Sequence, residues 1–65
     1  MDKKILYVPV YKPTENSKNR DWFQVNGAAD YDRDSAIRKG NQHIAVKTGD
    51  AILARVDEIE QEYNP

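Results

Sequence analysis

The apolar positions of Thr48 to Tyr63, TGDAILARVDEIEQEY, recur at helical spacing. Ile52, Val56, Ile59 and Tyr63 follow at steps of four, three and four, with Leu53 beside them, so they form one stripe of a helix. Asp57, Glu58, Gln61 and Glu62 take the opposite side. Taken as a strand, the stretch mixes Leu53 with Arg55 and Asp57 on one face, which a half-buried strand disfavours. Thr48 and Asp50 stand where a helix needs an oxygen for its first free N–H groups. The pattern predicts a C-terminal amphipathic helix that needs a surface to lie on.

The rest of the chain supplies strand-like runs. Lys4 to Lys12, KILYVPVYK, is rich in β-branched and aromatic residues. Alternation puts Leu6, Val8 and Val10 on one face and Ile5, Tyr7, Pro9 and Tyr11 on the other. Pro9 has no N–H, which predicts an edge strand or a bulge. Pro13 to Asn19 is a polar loop of turn formers. Asp21 to Asn26, DWFQVN, predicts a second strand, with Phe23 and Val25 joining Leu6, Val8 and Val10 beneath the helix. Ser35 to Gly40 predicts a short helix with Asp34 as its cap and Gly40 at its end, a Gly40-Asn41 hairpin turn being the alternative. Gln42 to Lys47 predicts a third strand with Ile44 and Val46 pointing inward. The expected fold class is α+β: a small antiparallel sheet of about three strands with the C-terminal helix packed on one face, residues 1–65 forming a single small domain.

Composition narrows the options for stabilising it. A 65-residue chain buries only about 60% of its unfolded surface. It has no cysteine and one histidine, His43, which removes disulfides, thiolate zinc sites and multi-histidine metal sites. No metal or other cofactor is expected. The net charge of −1 favours no particular partner, but its distribution is uneven. Residues 1–27 carry five Lys/Arg and three Asp/Glu, residues 28–50 carry four of each, and residues 51–65 carry one Arg and four Asp/Glu. No run has the length of a membrane span or of a signal-peptide apolar core, so a soluble cytoplasmic protein is expected.

Candidate chemistry is sparse. Asp30, Asp32 and Asp34 alternate as at the start of an EF-hand loop, but Ser35 stands where that loop needs glycine and Asn41 where it needs glutamate. The run is expected to be a solvated loop. His43 has no evident catalytic partner, and Gly27, Gly40 and Gly49 are too scattered for a phosphate loop, so no enzyme is expected. Tyr7, Tyr11 and Trp22 are expected on one strand face, with Lys4, Lys12 and Arg20 near in sequence. Aromatics with basic neighbours suit single-stranded nucleic acid, and Tyr, Trp and Arg equally suit a protein interface.

Lys39-Gly40-Asn41-Gln42, then Ile44 and Val46, then Asp57-Glu58-Ile59 locally resembles the second half of the carbon storage regulator family of RNA-binding proteins. In that family, basic residues of the first strand and an arginine just before the terminal helix grip the RNA. Here the first strand, ILYVPVY, lacks those arginines, and Val56 stands at the arginine's place with Arg55 adjacent. The resemblance covers less than half the chain, and no membership follows from it. The sequence therefore predicts a non-enzymatic binding protein, an accessory factor or inhibitor of the kind common among mobile elements. Its partner would be another protein or a second copy, contacted through Tyr7, Tyr11, Arg20 and Trp22. The alternative is a small nucleic-acid-binding module using the same aromatic and basic face.

Overall fold

The computed structural model describes residues 2–63. The elements are β1 (Asp2–Pro13), β2 (Phe23–Gln24), a 3-10 turn (Asn26–Ala28), α1 (Arg33–Asn41), α2 (Ile44–Lys47) and β3 (Ala51–Tyr63). The strands form one antiparallel sheet in the order β2-β1-β3. Since β2 and β3 both run against β1, they are parallel to each other. The chain between them must therefore cross the sheet, and α1 and α2 make that crossing.

The expected C-terminal helix is corrected to the strand β3, and the helices lie in the middle of the chain. The reason lies in the pairing. β3 follows β1 from Asp2↔Tyr63 to Val10↔Arg55, and the register then shifts so that Tyr11 faces Leu53. Ala54 is the extra residue of a β-bulge. The bulge moves Leu53 to the face opposite Arg55 and Asp57, which removes the mixed face that disfavoured a strand. The helical stripe over Ile52, Val56 and Ile59 is a coincidence of spacing that long-range pairing overrides. The side chain of Tyr63, its last member, lies outside the described residues. The segments of the local family resemblance fall on α1, α2 and β3, with no terminal helix.

The third expected strand, Gln42 to Lys47, is corrected to the short helix α2. His43 caps it by accepting the Ala45 N–H at Nδ1 (3.2 Å). Ile44, expected inward, is 72% exposed. α1 forms where a short helix was expected, but its cap is Asp32 rather than Asp34: the Asp32 carboxylate accepts from the Ser35 N–H and Oγ (3.1 and 2.7 Å). Gly40, expected to end the helix, lies inside it. Thr48 follows α2 as its C-cap instead of starting a helix. Gly49, at φ +79°, turns the chain into β3, a conformation open to glycine at no steric cost.

The two faces of the sheet differ. Register puts Pro9, Tyr11, Phe23 and Leu53 on one face, and this is the face the helices cover. A Cβ on Gly40 would lie 3.2 Å from the Pro9 Cβ, and His43 stacks on Tyr11 with ring centroids 5.1 Å apart. Tyr11 and Ala36 are fully buried there. The expectation that Leu6, Val8, Val10 and Phe23 share the helix-covered face is therefore corrected: Phe23 sits opposite Tyr11, and Val10 sits opposite Gln24. Pro9 is tolerated in a central strand because β2 is so short. Tyr7 exchanges both backbone bonds with Asp30, and the Pro9 carbonyl accepts from the Val25 N–H (3.2 Å). The missing N–H of Pro9 thus points away from β3, where no ladder continues.

A candidate contact face on the open side of the sheet

The face without helices carries Leu6, Val8 and Val10 from β1 and Arg55, Asp57, Ile59 and Gln61 from β3. Gln24 joins them from β2. Val8 and Val10 are almost fully buried although no helix covers them. A polar strap lies over them. Gln24 Nε2 donates to Asp57 Oδ2 (3.1 Å), and because β1 separates β2 from β3, that bond crosses over the valines. Arg55 Nε donates to the other Asp57 oxygen (2.8 Å), and the Arg55 guanidinium sits 5.4 Å from the Trp22 ring centre. The order is Gln24, Asp57, Arg55, Trp22: a hydrogen bond, a charge-assisted bond and a cation–π contact in line. The Arg55 bond, and then the Gln24 bond, hold the Asp57 carboxyl below the usual carboxylate range.

A second strap lies nearer the chain ends. Tyr31 follows Asp30, the residue bridged to Tyr7, and its hydroxyl donates to Gln61 Oε1 (3.3 Å). That bond also crosses β1, so the Tyr31 ring lies on the open face, to which Gln61 belongs. Asp30 itself is anchored by Lys39 Nζ (2.7 Å), which, with the Asp32 N–H, lowers its pKa. The alternating aspartates thus serve local structure: Asp30 in the bridge and ion pair, Asp32 in the cap, and Asp34 in the first turn of α1.

Six large apolar side chains among the described residues are exposed: Ile5, Trp22, Tyr31, Ile44, Ile52 and Ile59. Four of them, Trp22, Tyr31, Ile52 and Ile59, lie on this open face, since Ile52 pairs with Lys12 on the same side as Val10. Trp22 is half exposed. The acids of β3 are largely absent here: Glu58, Glu60 and Glu62 pair with Tyr7, Ile5 and Lys3 on the other side.

The four residues singled out in the sequence are not brought together. Tyr7 and Tyr11 lie on the helix side of β1, where Tyr11 is fully buried under α1. Its hydroxyl has no hydrogen-bond partner, and burial pushes its pKa up. Trp22 lies on the opposite, open face, and Arg20 is exposed in the preceding loop, where its guanidinium donates to the Thr14 carbonyl (3.5 Å). Trp22 alone belongs to the open cluster. Tyr31, Ile52, Arg55 and Ile59 are hidden in the sequence because the helical spacing of the C-terminal segment masks β3 and Tyr31 stands in a polar, loop-like run. No pocket forms among the described residues, and no three of their His, Asp or Glu side chains converge on a metal-sized site. No helix among them is long and apolar enough to cross a membrane. No protein-family model, curated protein or solved structure matches the chain.

Proposed function

We propose that this chain is a non-enzymatic binding protein, an accessory factor or inhibitor, that docks the open face of its sheet on another protein. The observation that carries this is the gathering of Trp22, Tyr31, Ile52 and Ile59 on the one face the helices leave uncovered. Trp, Tyr and Arg are the side chains that most often dominate interface energies. Arg55 is held in place by Asp57 and Trp22, so little rotamer freedom is left to lose on binding. Two of the four apolar side chains are isoleucines, which offer a base nothing to stack on. The cation at the centre of the face is already paired with a carboxylate, which leaves less charge for phosphate. Both features favour a protein over a nucleic acid.

The test is a pull-down from cell extract with the parent chain and with a Trp22→Ala, Ile59→Ser variant, each with and without nuclease. The proposal expects a protein retained by the parent, lost with the variant and indifferent to nuclease. Bound material released by nuclease, together with a saturable, salt-sensitive quench of Trp22 fluorescence by RNA or DNA, overturns it.

A further inference from the structure

We infer that the outer edge of β3 receives an extended basic segment of another protein as a fourth strand. This surface is distinct from the open face, and the inference does not rest on that face being an interface. β3 is thirteen residues long and pairs only on its β1 side among the described residues. The direction of its free backbone groups follows from one bridge. Tyr7 gives its N–H to the Asp30 carbonyl (2.8 Å) and accepts the Asp30 N–H (3.0 Å), so its backbone points away from β3. In an antiparallel ladder, hydrogen-bonded and non-bonded pairs alternate. The Tyr7↔Glu58 pair is therefore a non-bonded one, and the N–H and C=O of Glu58 point outward. The same holds for Val56, Glu60 and Glu62, opposite Pro9, Ile5 and Lys3.

Three of these four residues, Glu58, Glu60 and Glu62, thus carry acidic side chains, all on one face of the edge. A strand added there aligns its own side chains with Glu58, Glu60 and Glu62 at a period of two, so lysine or arginine at alternate positions meets a carboxylate each time. Lys3 neutralises Glu60 only across 3.5 Å of exposed surface. A second copy fits poorly. Antiparallel self-pairing centred on Ile59 sets Glu58 of one copy against Glu60 of the other, twice, and centring on Glu58 or Glu60 sets a carboxylate against itself. The Ala54 bulge interrupts the edge on the other side. Beyond the Asp30 bridge the β1–β3 ribbon has only two strands, an arrangement of marginal stability that a third strand reinforces.

The test uses the isotope-labelled full chain and a nine-residue peptide of alternating lysine and threonine with blocked ends. Two control peptides replace lysine by glutamate or carry a methyl group on the backbone nitrogen of each lysine. The inference expects the lysine peptide to slow amide exchange at Val56, Glu58, Glu60 and Glu62. Asp57, Ile59 and Gln61 should keep the protection β1 already gives them. N-methylation should weaken binding by about tenfold or more, since each lost backbone bond counts for roughly 0.5–1.5 kcal/mol. The glutamate peptide should not bind. Trp22→Ala should leave peptide binding unchanged, which separates this surface from the open face. Absence of binding, equal binding of the methylated or glutamate peptide, or loss of binding with Trp22→Ala each overturns the inference. So does protection of the same four amides in the free chain that rises with its concentration, because the occupant would then be a second copy.

Discussion

Gly40 of α1 lies directly against the hydroxyl of Tyr11 in β1: a Cβ at residue 40 would stand 2.8 Å from Oη and 3.2 Å from the Pro9 Cβ. This contact sets how closely the helix layer approaches the sheet. Glycine inside an exposed helix normally costs about 1 kcal/mol relative to alanine, yet Gly40→Ala should destabilise here. The ring of Pro9 and the buried ring of Tyr11 have no open space to move into, and overpacking of this kind costs about 1–3 kcal/mol. Thermal melts followed by circular dichroism read the difference. An unchanged or raised Tm for Gly40→Ala contradicts the contact.

Tyr11→Phe probes the other partner. The Tyr11 hydroxyl is buried without a hydrogen bond, and removing such a group spares a desolvation penalty of about 1–3 kcal/mol. The substitution should leave stability equal or higher. Combined with Gly40→Ala, it should recover part of the alanine's cost, because one of the two obstructions is gone. Strict additivity in that double-mutant cycle would show that the two residues do not press on each other.

Acid should weaken the fold through Asp30 and Asp57. Both carboxyls titrate below their ordinary value of 3.8, Asp30 chiefly through its bond to Lys39 and Asp57 chiefly through its bond to Arg55. A carboxyl depressed in the folded state contributes stability that is complete above its unfolded pKa and is lost as pH falls through the folded one. The loss should therefore begin near pH 4, in the direction of lower Tm. Asp30→Asn and Asp57→Asn should each flatten that acid limb and lower Tm at neutral pH by a matching amount, which is small as expected for exposed pairs. Equal slopes for the parent and both variants would assign the acid limb to other groups.

Two substitutions separate a C-terminal strand from a C-terminal helix. A helix packed on a core through its stripe would unfold with Ile59→Asp. In β3, Ile59 is more than one-third exposed opposite Leu6, so the same change should cost only about 1 kcal/mol. Val10→Ala, at a buried position beneath the Gln24–Asp57 strap, should cost more, about 1–3 kcal/mol. A reversal of that order in denaturant melts would place the core elsewhere.

The caps give a further check. Asp32→Ala removes the acceptor for the Ser35 N–H and should cost about 1 kcal/mol. His43→Ala removes both the cap of α2 and the ring stacked on Tyr11, so its cost should be the larger of the two. Exchange of backbone amides should show the Asp32 effect at the start of α1 and the His43 effect in α2.

The legible parts of the sequence were those with a local cause. The β1 strand follows from its β-branched run, and a helix near Ser35 to Gly40 follows from the aspartates before it and the spacing within it. β3 was obscured by a single residue. With Ala54 counted in a regular strand, Leu53 falls beside Arg55 and Asp57; with Ala54 set aside as a bulge, the alternation of Glu58, Glu60 and Glu62 against Ile59 and Gln61 is a plain strand pattern. The contact face had a similar fate. Alternation correctly separates Trp22 from Phe23, but which of them joins Tyr11 depends on the β1–β2 register, and nothing local to either strand sets it. Tyr31 reaches the face only through the Asp30 bridge, a contact between segments far apart in the chain.

The long β1–β3 ladder also governs the order in which the molecule can be made. Leu6 waits for Ile59, and Val10 for Arg55, so β1 has no long partner until β3 has been synthesised. Until then β1 has only the two-residue β2 and the Asp30 bridge beside it. Closing so large a loop is entropically costly, and chains whose contacts join distant residues fold slowly. On the ribosome, therefore, the β-rich KILYVPVYK segment stays unmatched until β3 has followed it, which leaves it open to chaperones or to wrong pairings.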